Sequence, residues 1–257
     1  MPNDLTLLTS AARTAGAIAL RFWKADPLTW EKGDAGPVTE ADIAANDHLH
    51  ETLRSAHPTY GWLSEESDHD PNRLTADHCF IVDPIDGTRA FIAGERAWAI
   101  SLAIAHHGQI TAAAVFLPAM NKLYAAARGQ GATLNGAPIH ASQSSDPETA
   151  IILASRPVMH EDNWRSTPPQ NRHYRPSIAY RACLVAEGRF DAMITLRPTW
   201  EWDIAAATLI TSEAGGTATT RTGAPLIFNT QTAQTNGCLV TATPLHQNLL
   251  SRLAYGG

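Results

Sequence analysis

The chain has little cysteine and no two cysteines close together. Cys79, Cys183 and Cys238 stand far apart, so neither a disulfide framework nor a cysteine-built zinc site is expected, and the sparse odd count suits a reducing compartment. It has no lysine- and arginine-rich run, and its formal net charge is -6. Both argue against coating a nucleic-acid polymer. It lacks any apolar run approaching the ~18 residues of a membrane span, and it lacks the basic-then-apolar start of a secretory leader. There is no Gly-x-Ser-x-Gly elbow and no P-loop, and His50-Glu51-x-x-Arg54 lacks the second histidine of a metalloprotease helix. The expectation is a cytoplasmic protein without a membrane partner. Its 257 residues, 44% hydrophobic and 17% charged, suit one large domain or two tightly joined halves.

What is present is periodic. Leu5, Leu8, Ala12, Ala15, Ala19 and Phe22 recur at helical spacing, which predicts a packing helix over 4–23. A polar, glycine-bearing loop is expected from Pro27 to Pro37. Thr39 reads as the cap of a second helix reaching Ala56, with Ile43, Leu49 and Leu53 on its apolar face. Apolar runs predict strands over 79–82, 97–105, 110–117, 122–127 and 132–134, with turns at His107-Gly108 and Asn135-Gly136. The Ser/Asp/Pro-rich stretch 142–148 is the best internal boundary, dividing the chain into 1–145 and 146–257. Beyond it come strands over 151–154 and 191–196 and helices over 178–187 and 203–214. The mixture predicts stacked α and β layers.

The most informative segment is Asp83-Pro84-Ile85-Asp86-Gly87-Thr88, directly after a buried strand. Proline fixes its own backbone and restricts its predecessor. Both carboxylates and the Ile85 carbonyl could then face one point, in the kind of oxygen array that a hard cation such as Mg2+ takes. Gly87 allows close backbone approach, and the N–H groups of Gly87 and Thr88 could face a phosphate. Asp-Pro and Asp-Gly are also ordinary turn pairs. Other acids are equally ambiguous alone. Glu65-Glu66 could be a solvated turn, Asp203 could be a helix cap, and Asp42 could complete a capping box with Thr39.

Together these segments resemble the inositol monophosphatase superfamily of lithium-sensitive, magnesium-dependent phosphatases. The matching segments are Val38-Thr39-x-x-Asp42, Glu65-Glu66, Asp83 to Thr88, Gly129-x-Gly131-Ala132-x-Leu134-Asn135-Gly136, Trp202-Asp203 and Glu213-Ala214-Gly215-Gly216. They follow the family's order over nearly the whole chain. The resemblance implies a layered α/β/α/β/α sandwich with the pocket between its two halves. It implies that Glu65, Asp83, Asp86 and Asp203 ligate metal through their side chains and Ile85 through its carbonyl, with Asp42 holding metal-bound water. Two or three Mg2+ ions would be held there. Such a site is costly when empty: at an effective dielectric of about 20, two carboxylates ~4 Å apart repel by roughly 4 kcal/mol. Glu65 and Thr88 are expected to orient the attacking water, and Gly87, Thr88 and Asp203 to contact substrate.

The partner implied is a small phosphorylated metabolite, and a homodimer is left open. Leu63-Ser64-Glu65-Glu66, Thr88-Arg89-Ala90-Phe91 and Cys183-Leu184-Val185-Ala186-Glu187-Gly188 resemble the bisphosphate nucleotidase (CysQ-type) branch, which removes the 3′-phosphate of adenosine 3′,5′-bisphosphate. Leu196 stands where inositol monophosphatases usually carry an acid. Pro176-Ser177-Ile178 replaces their Gly-[Ser/Thr]-Ala. The expectation is therefore a nucleotidase, with an inositol, sugar or polyol phosphate phosphatase as the alternative. A second phosphate would need its own cations. Arg156, Arg175, Arg181 and Arg197 are candidates, with Arg181 and Arg197 first.

Overall fold

A computed structural model describes residues 3–33 and 36–254. In chain order the elements are α1 (Asp4–Phe22), β1 (Thr29–Glu31), β2 (Pro37–Thr39), α2 (Glu40–Ala56), β3 (Gly61–Ser64), β4 (His78–Asp86), α3 (Thr88–Ile92), β5 (Ala99–His106), β6 (Gln109–Leu117), β7 (Lys122–Ala127), β8 (Ala132–Leu134) and β9 (Ala137–Pro138). After these come β10 (Ile152–Ala154), β11 (Arg172–His173), α4 (Ile178–Ala186), β12 (Ala192–Thr195), β13 (Thr199–Trp200), α5 (Glu201–Glu213), β14 (Gly216–Thr219), β15 (Gln234–Thr235), β16 (Cys238–Ala242) and α6 (Thr243–Arg252). The loop expected between Pro27 and Pro37 contains β1, which pairs antiparallel with β2 at the loop's far end. Its residues Asp34 and Ala35 lie outside the described residues.

Two sheets organise the chain. The first has seven strands in the order β3-β4-β5-β6-β7-β8-β9; β3 and β4 run parallel and the rest form an antiparallel meander. The second has five strands in the order β11-β10-β12-β16-β14. Alternation along the strands explains the layering. Phe80, Val82, Leu102, Ile104, Ala112 and Ala114 pack with α1 and α2. Their neighbours Cys79, Ile81, Ala103, Ala105, Ala113 and Val115 pack with α4 and α5 on the other face. With both faces covered, β5 and β6 read as nearly continuous apolar runs rather than alternating ones. The second sheet covers α4 and α5 through Leu153, Met193 and Val240, and α6 closes its outer face through Leu245 and Leu249. The architecture is α/β/α/β/α.

Local chemistry sets the helix positions. Asn3 caps α1 by accepting from the Thr6 N–H at 2.8 Å. The buried stripe of α1 is Leu7, Leu8, Ala11, Ala12, Ala15, Gly16 and Ala19, so Leu5 and Phe22 sit at its margin rather than at its centre. A side chain at Gly16 would meet the Phe116 ring at 2.7 Å, so small residues let this helix approach the sheet closely. In α2 the buried face runs through Ala41, Ala45, Leu49 and Leu53. Ile43, expected on that face, is exposed because it lies off this i, i+4 row. The expected turns are present, with positive φ at both His107 and Gly108 and at both Asn135 and Gly136.

Two sequence motifs that lie far apart meet in the structure. The Glu213 carboxylate accepts from the N–H groups of Gly129 and Gly131 at 2.8 and 2.9 Å, joining the end of α5 to the β7–β8 turn. The two glycines that follow serve different purposes. Gly215 has φ +84° with open space around it, whereas a Cβ at Gly216 would lie 2.5 Å from the Thr211 side chain and 2.8 Å from the Thr241 carbonyl. Replacing Gly216 with alanine should therefore cost about 1–3 kcal/mol through overpacking. Urea denaturation would show this as a lower midpoint; an unchanged midpoint would contradict the packing described.

Candidate metal centre and active site

A strand places residues i and i+3 on opposite faces, so Asp83 and Asp86 would diverge if β4 were regular. It is not regular. Asp83 pairs with Ser101 and Asp86 with Ala99, so three steps along β4 match two along β5, which is a bulge of one residue. Pro84 sits inside the bulge, where its missing N–H costs no ladder bond. The flip shows in the packing: Ile81 faces the α4/α5 core, but Ile85 faces the α1/α2 core. Asp83 and Asp86 consequently share a side. The strand thus extends to Asp86, four residues beyond the expected end at Val82, and the turn begins at Gly87 with φ +101°. The Ile85 N–H donates to Asp83 Oδ1 at 3.0 Å and fixes that carboxylate.

Asp203 comes from the second half of the chain. It is the third residue of α5, not the cap, which is Trp200. A carboxylate in a first helical turn is favoured by the helix dipole. The Ser101 hydroxyl donates to the Trp202 carbonyl at 3.1 Å, tying α5 to β5. Glu201 is fully buried and accepts from Asn229 N, Thr230 N and the Thr230 hydroxyl at 2.5–2.9 Å. Arg73, also buried, donates to Asn229 Oδ1 and to the Thr230 carbonyl. Nothing in the sequence marked Glu201 or Arg73 as the fasteners of the helix that carries Asp203.

Carboxylate oxygens of Asp83, Asp86 and Asp203 lie within 4.8 Å of one another. They line a cavity of about 280 Å³ together with Glu65, Ile85, Gly87, Thr88, Arg181 and Arg197. Of the site residues and candidates expected from the sequence, all but Asp42, Arg156 and Arg175 are on that wall. Asp42 lies behind it. Its Oδ2 accepts from the Thr39 N–H and hydroxyl at 2.8 and 2.6 Å, completing the capping box, and its Oδ1 stands 3.3 Å from the Thr88 hydroxyl. The cap and the site contact thus belong to one carboxylate. The Thr88 hydroxyl is also 3.1 Å from the Ile85 carbonyl. Glu65 sits outside the trio, paired with Lys32 at 3.4 Å, while Glu66 holds the same ammonium at 2.7 Å. Burial works against the Lys32 charge, but the two glutamates outweigh it and raise its pKa.

Asp86 is held most tightly. It accepts from the Ser177 hydroxyl at 2.5 Å, from Ala179 N at 2.6 Å and from Ile178 N at 3.2 Å, so the first turn of α4 grips it. The Pro176-Ser177-Ile178 segment thus has a role in holding a carboxylate that the sequence did not reveal. Burial raises the pKa of Asp86, and these bonds and Arg181 oppose the rise. Asp83 is pushed well above the carboxylate range by burial and then by Glu65, Asp86 and Asp203. Burial, Asp86 and Glu65 do the same to Asp203. Burial takes Glu65 to about 7 and Asp42 to about 6. Densely packed oxygen donors with destabilised negative charge fit a hard divalent cation, and that fit rests on the trio's geometry.

Comparison with known proteins agrees with this arrangement. The inositol monophosphatase family matches residues 3–255. The inositol-1-monophosphatase of Rhizobium meliloti is 36% identical over 75% of each chain. A Nus factor SuhB of Pseudomonas aeruginosa is 33% identical over 87% of each, and a histidinol-phosphatase of Chlorobaculum parvum is 31% identical over 84% of this chain and 85% of its own. The solved IMPase of Thermotoga maritima superposes with a TM-score of 0.84 at 26% identity, over 97% of this chain and 96% of that one. These relatives bear the names inositol monophosphatase, Nus factor SuhB and histidinol-phosphatase, not bisphosphate nucleotidase.

Raised carboxyl pKa values make the metal-free fold sensitive to pH in a definite direction. The folded state keeps protons that the unfolded chain releases. The associated stability is therefore full below the ordinary carboxyl value near 4 and is lost as pH rises through about 6 for Asp42 and about 7 for Glu65. Metal-free protein should melt at a lower temperature at about pH 7.5 than at about pH 5. Asp83→Asn, which removes the central charge, should raise the metal-free melting temperature at about pH 7.5 by ~2 °C or more. A variant melting at or below the wild type would refute electrostatic strain at this residue.

Proposed function

The chain belongs to the inositol monophosphatase family, and from that premise we propose that it is a Mg2+-dependent phosphomonoesterase acting on a small phosphorylated sugar or polyol. The observation that carries this reading is the convergence of Asp83, Asp86 and Asp203 beside the Thr88–Asp42 contact, in one cavity large enough for a small ester. Asp83, Asp86, Asp203, Glu65 and the Ile85 carbonyl would hold two or three Mg2+ ions, which supply activation of water and neutralisation of phosphate and leaving-group charge.

The chain's own residues do the rest. Glu65 and the Thr88 hydroxyl orient the attacking water. Thr88 is itself positioned through Asp42, whose Oδ1 accepts the hydrogen bond of its hydroxyl. The N–H groups of Gly87 and Thr88 donate to the phosphate oxygens. Asp203 is fixed by the fastened start of α5, and Asp86 by the start of α4. No side-chain nucleophile is required, so positioning and electrostatics carry the rate enhancement. The site lies at the joint of the expected halves 1–145 and 146–257. The sugar and polyol reading takes precedence over adenosine 3′,5′-bisphosphate because of the relatives' names. The Nus factor name stays with the protein that bears it.

Purified protein should release inorganic phosphate from inositol 1-phosphate or glycerol 2-phosphate with Mg2+ and not with chelator. Asp83→Asn and Asp203→Asn should each lower kcat/KM by at least ~100-fold, because amide oxygens are weaker metal ligands. Retained turnover in either variant at saturating Mg2+ would contradict the assignment.

A further inference from the structure

The end of the β4–β5 ladder farthest from the carboxylates carries histidines. His78 opens β4, His106 closes β5, and the two stand directly opposite each other in the antiparallel register. Their side chains therefore share one face of the sheet. The rings are stacked, with centroids 4.3 Å apart and 13° between their planes. Tyr60 also stacks on His78, at 4.6 Å and 11°, and His57 stacks on Tyr60 and pairs with Asp4 at 3.3 Å. His107, in the turn after β5, brings a third imidazole to 4.2 Å from His106. His78 and His106 are half-buried and His107 is exposed. None of these three rings has a hydrogen-bond or ion-pair partner among the described residues. Burial and then His106 lower the pKa of His78, with Asp4 and Asp77 opposing and His107 adding to the fall. The neutral form, which is the form that binds metals, is thereby favoured. Strand rise puts His78 roughly 16 Å from Asp83, so the column is separate from the cavity.

We propose that His78 and His106 form a second metal site, a cross-strand chelate for a divalent transition cation of the Cu2+, Ni2+ and Zn2+ class. Imidazole suits these ions, whereas Mg2+ takes oxygen. Among the described residues only the aspartate trio has three ligand atoms already converged, so the histidines make an open pair and not a closed cage. At metal–nitrogen distances of ~2.0–2.1 Å, two imidazole nitrogens share one cation when they stand about 3 Å apart. Stacked rings reach that separation by a small turn about χ2, a broad and soft torsion. The backbone register has already brought the two ligands together, and Tyr60 limits where the His78 ring lies. His107 is placed to add a third nitrogen, and water completes the shell. A cation held there clips the start of β4 to the end of β5, in the same strand pair that carries Asp83 opposite Ser101.

Cu2+ titrated into Mg2+-saturated protein tests this, with electron paramagnetic resonance reporting the ligands. The wild-type spectrum should show hyperfine splitting from at least two imidazole nitrogens. His78→Gln and His106→Gln should each remove a nitrogen from that spectrum. Each should also weaken Cu2+ binding at least ~tenfold, because the second ligand of a chelate acts at high effective concentration. His173→Gln, on β11 of the other sheet, should change neither reading. A wild-type spectrum with one nitrogen, or with oxygen ligands alone, means adventitious binding only and overturns the site. Equal Cu2+ affinity in wild type and His106→Gln overturns it too. Should either variant fail to fold, the wild-type spectrum decides by itself. Neither result bears on phosphate release with Mg2+, which depends on the carboxylates.

Discussion

Mutual repulsion among carboxylates that the fold forces together is the constraint around which this molecule is arranged. Asp83, Asp86 and Asp203 converge on one cavity, with Glu65 beside them on its wall. Each such pair costs on the order of several kcal/mol, comparable with the whole net stability of a domain. The surroundings share that cost. The start of α4 donates three hydrogen bonds to Asp86, the dipole of α5 favours Asp203, and Lys32 pairs with both Glu65 and Glu66. What these leave uncompensated is the driving force for taking up a divalent cation.

The convergence depends on a small irregularity. Without the one-residue bulge at Pro84, Asp83 and Asp86 would face opposite cores. The Glu201–Thr230 and Arg73–Asn229 bonds, with the Ser101–Trp202 bond, fix the first turn of α5 that carries Asp203. The site thus spans elements from both sheets' surroundings, and its geometry follows from how the layers stack rather than from any single loop.

Much of this was legible in the sequence. The hexapeptide at 83–88, the Glu65-Glu66 pair and Trp202-Asp203, ambiguous singly, pointed through the family resemblance to acids that the fold brings to one cavity wall. Long apolar runs identified β5 and β6, since both of their faces are covered. What stayed hidden depends on distant partners. Ser177 looked like a departure from a pattern until Asp86 appeared against it. Glu201 gave no sign, because its partners lie 28 and 29 residues away. The short strands 216–219 and 238–242 and the helix after them were not foreseen; the first is threonine-rich and half-buried, and none is long enough for its periodicity to stand out. The nucleotidase branch was inferred from short segments near the site. The relatives, compared over most of the chain, are named inositol-1-monophosphatase, Nus factor SuhB and histidinol-phosphatase.

The most direct test of the central claim is anomalous diffraction from crystals grown with Mn2+ in place of Mg2+. Mn2+ takes the same oxygen ligands. The account predicts a strong anomalous peak bonded to Asp83 and to at least one of Asp86, Asp203 and Glu65. Saturating Mn2+ with no peak inside this carboxylate cluster, or with its strongest peak elsewhere on the molecule, would contradict it.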